Sequence, residues 1–80
     1  MWLLKNKSQE CYLERMRLDA DGENGEGLSY AIDRTEHREH AAAFGHRGHA
    51  RAVAKLCVLL DEEPGGDDWI VVRVRKVAAA

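Results

Sequence analysis

Between residues 47 and 60, Ala50, Val53, Ala54, Cys57 and Leu60 follow one another at intervals of three, one, three and three. That spacing describes one face of an α-helix, and Pro64-Gly65-Gly66 behind Asp61-Glu62-Glu63 marks where it must stop. No other long segment shows this period, so the helix has to find its cover among strands.

Residues 2–5 and 11–18 read as two strands joined by the polar turn Asn6-Lys7-Ser8-Gln9, with Cys11 and Leu13 alternating against Tyr12. Residues 19–27 carry three glycines and four carboxylates, which reads as a flexible hairpin loop. Leu28, Tyr30 and Ile32 resume the period of two as a third strand. Residues 33–44 read as a loop with some helix that ends in the anchor Phe44, and residues 69–77 as a last strand. In that strand Ile70, Val72 and Val74 are expected to face the core, with Trp69, Val71, Arg73, Arg75 and Val77 on the other side. The predicted core adds Leu3, Leu13, Ile32, Phe44, Val53, Cys57 and Leu60. The fold class is therefore α+β: an antiparallel sheet in the order strand, strand, strand, helix, strand, with one long helix on one face.

At 80 residues the chain makes one core, expected over 1–77 with a frayed tail at 78–80. Its 45% hydrophobic and 32% charged residues place it among folding chains rather than disordered ones. The net charge of −2 gives no global attraction to nucleic acid or to a membrane. Four apolar residues before Lys5 are too few for a secretory signal, and the apolar run 56–60 is far too short to span a bilayer. A cytoplasmic location in a host cell is expected, with Cys11 and Cys57 as buried thiols. Leu56, Val58 and Leu59 lie partly outside the helix stripe. Either residues 34–44 cover them or a partner does, and a homodimer is one such partner.

The four histidines form two H-x-x-H units, His37 with His40 and His46 with His49. A His-rich zinc module completed by Glu36 or Glu39 is one reading. Structural zinc usually recruits cysteine, and neither cysteine lies in a C-x-x-C unit, so solvated or capping histidines are expected and no metal ligand is assigned. A pH-sensitive interface is the remaining use of four imidazoles. Asp19, Asp21 and Glu23 have the opening spacing of a calcium loop, but Asn24 and Tyr30 stand where it needs glycine and glutamate. Both cysteines fall on positions expected to be core, and Ser8 and Ser29 lack a nucleophile elbow. No catalytic residue and no cofactor is expected.

Charge distribution is more informative. Asp19, Asp21, Glu23 and Glu26 in one loop, with Asp61, Glu62, Glu63, Asp67 and Asp68 in another, hold nine of the 14 acidic residues, and neither loop contains a base. If the helix returns downward after an up, down, up strand order, the two loops meet as an acidic pole. The opposite end then gathers Lys5, Lys7, Arg34, Arg38, Arg47, Arg51, Arg73, Arg75 and Lys76. The acidic pole, together with an exposed Trp69 and Val71 face, is the expected binding surface for a protein that handles nucleic acid. The basic pole offers the alternative of direct phosphate contact through Arg73, Arg75 and Lys76.

The opening Trp2-Leu3-Leu4-Lys5 strand, the Cys11-Tyr12-Leu13 return, Ala43-Phe44, a helix carrying Ala50, Val53 and Leu56, and the closing Trp69-Ile70-Val71-Val72-Arg73-Val74 strand are similar in style to small phage and mobile-element proteins. Among characterised proteins of this size the chain resembles anti-CRISPR proteins, the inhibitors phages use against CRISPR effectors. The resemblance is one of architecture and transfers no functional residue. It implies a non-enzymatic binder of a host protein that occludes a nucleic-acid or nuclease surface.

Overall fold

A computed structural model describes residues 1–21 and 27–75, except for the side chains of residues 19–21 and 28. Strands β1 (Trp2–Asn6), β2 (Cys11–Asp21) and β3 (Gly27–Thr35) precede a 3-10 turn at Arg38–His40, helix α1 (Arg47–Leu60) and strand β4 (Trp69–Arg73). The four strands form one antiparallel sheet in the order β3-β2-β1-β4, with α1 across one face. The expected α+β class is the observed one.

The strands differ from expectation in length. β2 and β3 run further, pairing as far as Asp21 with Gly27, so Asp19 and Asp21 are ladder residues rather than loop residues. Period-two alternation carries through Leu18 and Tyr30, and the hairpin continues as a two-stranded ribbon past its neighbours. The last strand ends at Arg73 rather than Val77; Lys76, Val77 and the tail 78–80 lie outside the described residues.

Helix direction is the main correction. Asn6, at the end of β1, pairs with both Cys11 and Trp69, so the first turn and residues 61–68 share one end of the sheet. β2 runs away from that end, and the ribbon tip at Asp21 and Gly27 lies at the other. Residues 36–46 cross the length of the sheet before α1 begins, so α1 rises alongside β1 and β4 descends. The crossing segment is held as it passes. Ala42 N donates to Leu13 O (2.8 Å), and Phe44 exchanges two backbone hydrogen bonds with Trp2 (2.8 and 2.9 Å). It thereby fills the gap where β2 splays from β1, which it pairs only through Lys5–Tyr12 and Asn6–Cys11.

The core lies between sheet and helix. Leu4, Cys11, Leu13 and Trp69 from the sheet meet Ala50, Ala54 and Cys57 from α1, with Trp2, Met16, Ile32, Phe44, Val53 and Val71 packed around them. Small residues on the contact face let the helix axis come close to the sheet. The expected facing of β4 is reversed: Trp69 and Val71 turn toward the helix, while Ile70, Val72 and Val74 are half-buried on the other side or beyond the strand. Both faces are apolar, so hydropathy could not choose between them. The larger indole gains more from burial than a valine, and parity then fixes every other residue. Leu3 is buried on the reverse face, where Ala41 and Ala43 share a cleft with it.

These facings separate two truncations. Leu4→Ala should cost about 2–4 kcal/mol, and Val72→Ala about 1 kcal/mol. Urea unfolding at a common temperature measures both, and a larger loss at Val72 would reverse the assignment of the faces.

Candidate functional site

Asp61 caps the end of α1, where a carboxylate opposes the helix dipole. Its side chain is only 1% exposed, and four donors satisfy it. Trp69 Nε1 (2.8 Å) and Gln9 Nε2 (3.0 Å) donate to Oδ2; Glu63 N (3.1 Å) and an Arg34 guanidinium nitrogen donate to Oδ1. Arg34 also donates to Gln9 Oε1 (2.7 Å) and to Ile32 O (3.0 Å). Burial alone would raise the Asp61 carboxyl, but these hydrogen bonds overcome it and hold the group below the ordinary carboxylate range. Buried Asn6 completes this end, its amide donating to Gly65 O (2.8 Å) and its Oδ1 accepting from Gln9 N (2.9 Å). A Cβ on Gly66 would stand 2.4 Å from Asp61 O, so the turn requires glycine there.

Two expected binding residues are therefore internal. Asp61 is consumed by the network, and Trp69, expected at the surface, is 5% exposed because its indole N–H finds an acceptor inside. Val71 likewise packs on the core. Glu62, Glu63 and Asp67 remain exposed, and Asp68 bonds Ser8 Oγ. The single acidic pole does not form, because the crossing segment brings residues 61–68 to the Asn6 end while Asp19 and Asp21 lie on the β2–β3 ribbon that leads away from it. Glu23 and Glu26 lie outside the described residues.

Within each H-x-x-H unit the rings meet edge to face, His37 with His40 at 5.4 Å and His46 with His49 at 5.1 Å. All four are exposed. Among the described residues no group of three or more His, Cys, Asp or Glu is placed to hold a metal ion. Burial pushes the Cys57 thiol up to about 11 and raises Cys11 as well, with Arg34 opposing in both cases. Both thiols stay protonated near neutrality, the opposite of an activated nucleophile.

The basic residues divide too. Lys5, Lys7 and Arg34 belong to the Asn6 end, whereas Arg47 and Arg73 converge on Trp2 at the other. Their guanidinium carbons lie 5.6 and 5.8 Å from the Trp2 ring. This convergence joins the first helical turn to the last strand residue, and the sequence separation of 26 positions hides it. Arg38 and Arg75 line a cleft of about 540 Å³ on the reverse face of the sheet, the one that also holds Leu3, and Glu39 is its one acidic residue. No acidic residue occupies the first turn of α1, and His46 gives no side-chain cap, so its first N–H groups add positive potential. No helix in the described residues is long and apolar enough to cross a membrane.

Comparison with protein-family models, with curated proteins and with solved structures finds no match.

The Asp61 network carries its own test. Asp61→Asn should destabilise the domain by about 2–3 kcal/mol by leaving Arg34 uncompensated, the low end for a buried pair because Arg34 is partly exposed. The folded carboxyl is held below its unfolded value, so its stabilisation is complete above the ordinary carboxylate range and is lost as pH falls through the depressed value. Thermal unfolding from pH 7 down to about pH 2 should show the difference between parent and variant shrinking toward acid. A constant difference would contradict the ionised hub.

Proposed function

We propose that the protein is a non-enzymatic nucleic-acid-binding domain that contacts the phosphate backbone with Arg47 and Arg73 around Trp2 and with Arg75, which lines a cleft beside Arg73. The observation that carries this reading is the convergence of Arg47 and Arg73 on one indole. Guanidinium groups stacked on an aromatic ring are held in place while their outer N–H groups remain available to phosphate. The half-buried ring gives the site a fixed aromatic base beside the arginines, as single-strand binders use. A net charge of −2 makes the binding local and salt-sensitive.

The inhibitor reading, in which the chain occludes a host protein such as a CRISPR effector through its acids, loses the joined pole that supported it. What supports it now is the smaller group Glu62, Glu63, Asp67 and Asp68 near Lys7. The basic end is the better-built surface.

Fluorescence anisotropy with a labelled single-stranded oligonucleotide tests the proposal. Three phosphate contacts on a single strand imply a log–log salt slope of roughly −2.1, so affinity should fall about 20-fold between about 0.05 and 0.2 M salt. Arg47→Glu with Arg73→Glu should abolish binding, while Glu62→Lys with Glu63→Lys should preserve or raise it. Absence of binding at low salt would reject the proposal. Capture of a host nucleic-acid-handling protein, lost on reversing Glu62, Glu63, Asp67 and Asp68, would favour the inhibitor reading instead.

A further inference from the structure

Strand β4 ends the sheet: β1 flanks one side and, among the described residues, no strand flanks the other. The direction of its backbone groups is fixed from both ends. Lys7 N donates to Asp68 O (3.3 Å) and Val74 N donates to Met1 O (2.9 Å). Antiparallel pairing alternates, so Ile70 and Val72 also turn their amides toward β1, and Trp69, Val71 and Arg73 direct theirs outward. Val71 is the centre of this outward-facing row.

The sequence around Val71 is antisymmetric in charge. Asp67 and Asp68 stand before the strand, Arg73 and Arg75 at its end and beyond it. Two copies aligned antiparallel with Val71 against Val71 place Asp67 opposite Arg75 and Trp69 opposite Arg73 of the second copy, at both ends of the seam. A parallel alignment would set like charges together. On the helix face, Arg51, Ala54, Lys55, Val58, Leu59, Trp69 and Val71 line a cleft of about 490 Å³ along the same edge. Leu59 in it is 79% exposed and Val58 39%. A twofold axis perpendicular to the sheet keeps both helices on one face and brings these apolar flanks together.

We propose that two copies of this chain join through β4 into a continuous eight-stranded antiparallel sheet, with the Val58 and Leu59 flanks of their helices closing over the seam. An open, apolar edge is otherwise a hazard, and symmetric pairing removes it. The assembly shares Arg73 and Arg75 with the nucleic-acid reading but does not rest on it, and its readout, mass without nucleic acid, distinguishes the two.

Sedimentation equilibrium of the whole chain, from about 5 to 500 µM, is the test. The mass should rise from 9.0 kDa toward twice that value. Val71→Pro removes an outward N–H without touching the β1 ladder, and Leu59→Glu charges the flank; each should weaken the dimer about tenfold or more. Circular dichroism confirms that each variant is folded. Asp67→Arg should weaken it about three- to tenfold, and Asp67→Arg with Arg75→Asp should restore it. A mass of 9.0 kDa throughout would overturn the proposal. So would a dimer indifferent to Val71→Pro and to the charge exchange.

Discussion

One carboxylate organises the closed end of this domain. Asp61 receives the β4 indole, the β3 guanidinium, the first-turn glutamine and a backbone N–H from its own loop. Each donor comes from a different part of the chain, so the carboxylate fixes the helix end against three other elements at once. An unpaired charge in that position would be too costly for a domain of this size, which has only a few kcal/mol of net stability. Arg34 therefore determines more than one salt bridge. It makes an acidic helix end tolerable, and with it the turn through Gly65 and Gly66 that starts β4.

The other organising feature is the segment between β3 and α1. With Thr35 at the closed end and Arg47 at the open end, residues 36–46 must cover the length of the sheet, and the Phe44 bridge to Trp2 stops them where the helix begins. This crossing sends α1 in the direction opposite to a short connection. It also separates the two acidic segments and assembles Arg47, Arg73 and Trp2. The electrostatic layout of the molecule is thus a consequence of one loop's route.

The sequence revealed most where a period had one physical solution. Helix α1, the first hairpin and the antiparallel α+β class follow from alternation and from the Pro64-Gly65-Gly66 stop. It revealed less where two solutions were equally apolar. β4 could bury either face, and its choice depended on an acceptor for the Trp69 indole that lies eight residues away at Asp61. The charge poles failed for a different reason. Composition locates charges along the chain, but their ends in space depended on residues 36–46, whose polar, irregular pattern specifies no direction. Arg47 meeting Arg73 over Trp2 is tertiary in the same sense.

As an ionised, buried anchor, Asp61 holds the end of α1 against β3, β4 and the first turn, the end to which the crossing segment delivers the helix. A site-resolved NMR titration of the Asp61 carboxyl carbon tests this most directly. The account predicts a midpoint below that of an unperturbed aspartate, about 3.9, with the Trp69 indole resonance moving through the same transition. A midpoint at or above the ordinary value, with the Trp69 indole indifferent to it, would contradict the account.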